Sequence, residues 1–135
     1  MSKPTVISPA ILKSWLDSPS ATLKVVVIDV RDEDRYGGHI RNSVNVPSST
    51  FISAIPNLAD QLQQTQARRI VFHCQLSQVR GPSCAGAYFR HIYGTPLQQE
   101  QEIYILQGGF SEWARQYGRE NSVTENYKPQ LYEQL

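Results

Sequence analysis

Two cysteines in 135 residues, ten positions apart, are too few for a disulfide framework. A reducing intracellular compartment is therefore expected, the cytoplasm first and the nucleus second. Thirteen basic side chains face twelve acidic ones, a net charge of +1 that gives no bias toward nucleic acid or a membrane surface. No apolar run approaches the roughly 20 residues of a membrane span. The opening MSKPTVISP lacks the apolar centre of a secretory signal. The three histidines, His39, His73 and His91, are scattered without ligand spacing, so no metal is expected. Neither internal repeats nor low-complexity segments occur. What is left is an ordinary globular composition, long enough for one domain with its own core over residues 1–135.

Strand and helix patterns alternate along the chain. Val6-Ile7 suits a short first strand. Ser8 then caps a helix with Pro9 at its first position and Ile11, Leu12, Trp15 and Leu16 on its apolar face. Asp17 to Thr22 reads as a turn. The β-branched run from Val25 to Val30 predicts a central strand covered on both faces. Gly37-Gly38 marks a turn, and Val44 to Pro47 a third short strand. Ile55-Pro56 predicts a break: a turn over Thr50 to Ala54, then a helix from Pro56 through Gln63. Ile103 to Leu106 gives the last strand. Phe110, Trp113, Ala114 and Tyr117 recur at helical spacing. The tail from Asn121 has little pattern and is expected to lay Tyr127, Leu131 and Tyr132 on the surface. This alternation predicts an α/β fold, a central and largely parallel sheet flanked by helices.

The most informative stretch is RIVFHCQLSQVRGPSCAGAYF, from Arg69 to Phe89. Ile70, Val71 and Phe72 form a buried strand. Cys74 sits at its end, and after five loop residues Arg80, Gly81 and Pro82 open a helix whose face is Ala85, Tyr88, Phe89 and Ile92. Loop amides turned inward and a helix N-terminus favour negative charge, and such surroundings favour thiolate over thiol. Arg80 supplies a planar fork for two oxygens of a tetrahedral oxyanion. A thiolate in an anion cradle is what covalent phosphoryl transfer requires. The same spacing from Cys84 to Arg90 lacks strand and loop, and carries no such meaning.

The charged run Asp29, Arg31, Asp32, Glu33, Asp34 and Arg35 reads first as a solvated loop with local ion pairs. The competing reading puts one of these groups at the rim of a site, because ligands gather at the carboxyl ends of strands. Asp29 and Arg31 suit a bracing role. His73 is either a structural group or a hydrogen-bond partner of the loop backbone. Ser77 is placed to donate to the thiol or to an oxyanion. Cys84, between small residues on a helix, reads as a packed and inert thiol.

These residues carry a resemblance. IDVRDEDRYGGHIRNSVNVP resembles the first half of a rhodanese-like domain, with Asn42-Ser43 where that family usually has Gly-Ala, and LQGGFSEW resembles its closing strand, turn and helix. The similarity runs from about Ile7 to Tyr117. The loop HCQLSQVRGPS is longer than that of sulfurtransferase rhodaneses and resembles the M-phase inducer phosphatases and, equally, the small eukaryotic arsenate reductases. The resemblance implies Cys74 as nucleophile, Arg80 as oxyanion clamp, and the backbone of Gln75, Leu76, Ser77, Gln78 and Val79 as the anion nest. M-phase inducers carry an acidic residue where this chain has Gln75, and a second cysteine where it has Val30. They also extend further at both ends, so a cell-cycle kinase is not the expected substrate.

The expected function is a cysteine-dependent phosphatase acting on phosphotyrosine-like or small aryl phosphates through a cysteinyl-phosphate. The alternative is an arsenate reductase using the same loop, with glutathione or glutaredoxin as reductant. A non-catalytic oxyanion-binding module stands third and a sulfurtransferase last. The expected partner is a phosphorylated substrate or an inorganic oxyanion, with no cofactor. No proton donor is placed by motif, and Asp32, Glu33 and Asp34 are the open choices.

Overall fold

In the computed structural model, which describes residues 3–131, five parallel strands form one sheet in the order β1-β6-β5-β2-β4. The strands are β1 (Thr5–Ile7), β2 (Val25–Asp29), β4 (Val44–Asn45), β5 (Arg69–His73) and β6 (Glu102–Leu106). The β-branched and aromatic runs of β2 and β5 occupy the middle of the sheet. Their side chains alternate between two separate cores. Ile28, Ile70 and Phe72 face α2 (Phe51–Gln64) and α3 (Arg80–Ile92), whereas Val27 and Val71 face α1 (Pro9–Asp17) and α5 (Gly109–Tyr117). The register pairs Asp29 with His73, so β2 and β5 end side by side. Everything that follows either strand is delivered to the same edge of the sheet.

Ser8 caps α1 as its sequence predicts, its hydroxyl accepting the Ile11 amide. The break expected before Pro56 does not occur: α2 is continuous from Phe51, with Pro56 inside it. A proline within a helix costs about 3 kcal/mol. Phe51 and Ile55, on the buried face of that same first stretch, are 1% and 6% exposed, and burying such side chains returns about 1.5–3 kcal/mol each. Pro56 lies on the exposed side of α2, as does Ile52, whose carbonyl faces the proline that lacks an N–H. Burial therefore outweighs the local penalty.

A second correction concerns the tail. β3 (His39–Ile40) pairs antiparallel with β7 (Thr124–Glu125), a two-stranded ribbon that neither segment's pattern announces. Val123 and Thr124 are buried, and the Trp113 indole N–H donates to the Thr124 hydroxyl at 2.9 Å. Tyr127 packs against the core on the α5 side, while Leu131 is exposed. Tyr132 lies outside the described residues. A short helix α4 (Leu97–Glu100), also unexpected, leads into β6.

Candidate active site

Cys74 follows the last residue of β5 and is 3% exposed. Its Sγ accepts the backbone N–H of Ser77 and that of Gly81, each at 3.2 Å. The first comes from mid-loop and the second from the first turn of α3, where free amides and the helix dipole point at the same place. Gly81 allows this approach. A Cβ there would lie 3.3 Å from the Cys74 nitrogen, so the strand end would have to give by a few tenths of an ångström. Ser77 holds a left-handed backbone (φ 54°), uncommon outside glycine, and its Oγ is buried without a hydrogen-bond partner.

The carbonyl side of the loop is fixed from a distance. Phe110 N–H donates to the Cys74 carbonyl and Ser111 N–H to the Gln75 carbonyl, both at 3.0 Å. Across a planar trans peptide the N–H points opposite to the C=O. Holding these two carbonyls toward α5 therefore turns the amides of Gln75 and Leu76 the other way. Gly109, at φ 60°, makes the contact feasible, because a Cβ on it would stand 2.6 Å from both carbonyl oxygens.

Arg80 opens α3, and its guanidinium meets carboxylates. Nη1 and Nη2 donate to the two oxygens of Asp34 at 3.0 and 2.6 Å, and Nη1 reaches Asp32 Oδ2 at 3.4 Å. The Asp34 hydrogen bonds raise the Arg80 pKa further above its usual value, and Arg80 holds the Asp34 carboxyl below the ordinary carboxylate range. Asp32 is brought down to about 2, first by the Ser48 hydroxyl that donates to it at 2.6 Å and then by the Ser49 amide. Both acids are ionised and occupied at rest.

Beneath the loop lies a fully buried charge cluster. Arg31 binds Asp29 through Nε and Nη2, at 3.0 and 2.7 Å, and neither side chain is exposed. The same guanidinium donates to the Gly38 carbonyl at 2.9 Å and to Gln75 Oε1 at 3.1 Å, and stands 4.3 Å above the Phe110 ring. Burial by itself would raise the Asp29 carboxyl, but the charge that His73 takes up in acid, and then the Arg31 hydrogen bonds, hold it below the usual range. His73 is wholly buried with Nδ1 3.0 Å from the Cys74 carbonyl, and burial pushes its pKa down, so the ring is neutral.

The structure thus gathers Cys74, Ser77, Arg80 and the backbone of the loop at one edge of the sheet. The side chains of Leu76, Gln78 and Val79 are exposed around it. Gln75 is turned inward and tied at both ends, its Nε2 donating to Ser111 Oγ at 2.8 Å. Cys84 packs in the core beneath α3, and burial pushes its thiol up to about 11. The first reading of the acidic run, a solvated loop, is corrected: Asp34 and Asp32 reach the helix that carries Arg80. Their position at the carboxyl end of β2 was the available signal, since β2 neighbours β5. The contribution of Gly109, Phe110 and Ser111 to the loop left no trace in residue chemistry.

Residues 8–116 match the rhodanese-like domain family, and the chain belongs to that family. It is 34% identical to the dual specificity phosphatase ibp1 of Schizosaccharomyces pombe, over 93% of this chain and 99% of that one. It is also 38% identical to arsenate reductase 2.2 of Oryza sativa subsp. japonica, over 79% of each chain. Among solved structures, a yeast protein tyrosine phosphatase of the rhodanese family superposes with a TM-score of 0.89 at 31% identity, covering 98% of this chain and 99% of that one.

Proposed function

We propose that this protein is a cysteine-dependent phosphatase acting on aryl phosphate esters. The observation that carries the reading is the pair of backbone N–H groups converging on the buried Cys74 sulfur, with the Arg80 fork one residue before the second of them. Hydrogen bonds from amides favour the anionic sulfur and also suit a phosphoryl group placed beside it. The thiolate attacks phosphorus, the P–S bond forms as the P–O bond to the aryl group breaks, and the aryloxide leaves as an anion that takes its proton from solvent water. Water then cleaves the P–S bond, releasing phosphate and the free thiolate. Loop amides bear the charge on the equatorial oxygens, and Arg80 leaves Asp34 to clamp two of them.

One observation favours a second reading, thiol-coupled arsenate reduction. Asp32 and Asp34 are both ionised and bound to Arg80, so neither stands ready to protonate an alcohol. Arsenate brings no organic leaving group. In that reading Cys74 takes arsenate into the same cradle, and glutathione or glutaredoxin supplies two electrons.

The test is hydrolysis of 4-nitrophenyl phosphate by the wild type and by Cys74→Ser, with arsenate as competitor. Turnover abolished in the variant and inhibited by arsenate supports the phosphatase. A wild type silent on esters that reduces arsenate with glutathione supports the reductase.

A further inference from the structure

Two clefts of about 600 Å³ open on this protein, one beside Arg35 and Tyr127 and one beside Leu62 and Arg68, but neither is lined by Cys74 or Arg80. A smaller cleft of about 170 Å³ is likewise not lined by Cys74, but it shares Arg80 with the loop. It lies between the start of α2 and the first turns of α3, and Arg80 itself forms part of its wall. Phe51 and Ile52 line it from α2, and Val79, Cys84 and Ala87 from the loop and α3. Two serines also border it, Ser48, whose hydroxyl is directed to Asp32, and the exposed Ser83; the remaining lining apart from Arg80 is apolar.

We propose that this cleft is the subsite for the aromatic ring of the substrate, with Arg80 at the joint between ring and phosphoryl group. Size fits, since an apolar cavity of about 150 Å³ accommodates benzene. The rim fits as well: Ile52 and Val79 are 70% and 74% exposed, large apolar groups left in water beside a site built for an anion. Phe51, 1% exposed, and Cys84, 7% exposed, form a floor with no charge to desolvate. Arsenate has no substituent to place there, and an alkyl phosphate fills it poorly. The subsite thus rests on the phosphatase reading for its meaning, but its ligand chemistry can be tested without turnover.

Phosphonates make that separation, because they carry a substituent but no leaving group. Isothermal titration of the full chain with phenylphosphonate and methylphosphonate should show the phenyl compound binding about tenfold tighter, a difference of about 1.4 kcal/mol. Ala87→Leu fills the cleft, and Ile52→Asn makes an already exposed wall polar without adding a charge beside Arg80. Each should bring the two phosphonates to parity while inorganic phosphate binds as before. Equal affinities in the wild type would overturn the subsite, as would a phenyl preference that survives both variants. A phenyl preference in a protein that hydrolyses no ester would support the subsite and sink the phosphatase. If esters are hydrolysed, kcat/KM for a phosphotyrosine peptide beside that for 4-nitrophenyl phosphate identifies the source of the ring. Either ranking supports the subsite provided both esters exceed methyl phosphate.

Discussion

Arg80 and Asp34 form a two-point ion pair, with Nη1 and Nη2 on Oδ1 and Oδ2 at 3.0 and 2.6 Å. An anion that bound Arg80 would therefore have to displace a carboxylate already paired with it. The two side chains are 33% and 39% exposed, and pairs of that kind are worth about 0.2–1 kcal/mol. Asp34→Asn should accordingly tighten competitive inhibition by arsenate, by up to about fivefold. The gain should shrink as salt rises. Inhibition constants at two ionic strengths measure it, and a weaker or unchanged constant at low salt would refute the competition.

The two thiols should differ in reactivity. Burial holds Cys84 near 11, and it packs in the core on the α3 side. Brief treatment with iodoacetamide at neutral pH should label Cys74 first, and bound phosphate should slow it. Peptide mapping reads the site. Equal labelling of both cysteines in folded protein would contradict the inert role of Cys84.

Ser77 combines a left-handed backbone with an unpartnered hydroxyl beside the thiol. If the hydroxyl serves the reaction, Ser77→Ala and Ser77→Gly should both lose turnover, on the order of tenfold. Only the glycine variant relieves the backbone, and it should melt above the alanine variant by a difference of about 1 kcal/mol. Full turnover in both variants would reduce Ser77 to a turn residue.

Gly109 and Gly94 both have positive φ, 60° and 78°, but differ in surroundings. Alanine at 94 meets open space and should cost only about 1 kcal/mol of backbone strain. Alanine at 109 collides with the carbonyls of Cys74 and Gln75. It should lower stability by more than about 2 kcal/mol and reduce anion binding in whatever protein still folds. Denaturant melts of the two variants make the comparison.

His73 gives a pH dependence with a definite sign. Burial lowers its folded pKa from 6.5, so as pH falls the unfolded chain takes up the proton first. Its contribution to stability is full above 6.5 and is lost progressively below. Asp29, Asp32 and Asp34, all lowered from 3.8, contribute in full above that value and lose their contribution only in more acidic solution. Melting temperatures at pH 7 and pH 5 should differ in the wild type and much less in His73→Asn. A slope unchanged by the substitution would assign it to another group.

Much of this arrangement is legible in the residues because strong local signals agree with the packing. The run at Val25 to Asp29, the strand, loop and helix around Cys74, and the periodic face of α5 all say the same thing at every level. Pro56 misled because a local penalty is visible in sequence and the burial of Phe51 and Ile55 is not. The β3–β7 ribbon was hidden for a related reason. Two residues on each side carry no periodicity, and their pairing joins positions more than eighty residues apart. Asp34 was visible as a charge but not as a partner, since its contact with Arg80 depends on β2 and β5 ending together.

That ribbon gives the C-terminal segment an unexpected reach. Lys128 N–H donates to the Gly37 carbonyl at 2.9 Å, and the next peptide carries the Gly38 carbonyl that receives Arg31. A protease cut near Asn121 would spare every strand of the parallel sheet and every residue of the thiol loop. It would nevertheless free the turn at 37–38 and, through Arg31, the brace on Gln75. Damage in the C-terminal segment would then be felt at the loop around Cys74, some fifty residues away in sequence, with no residue of that loop removed.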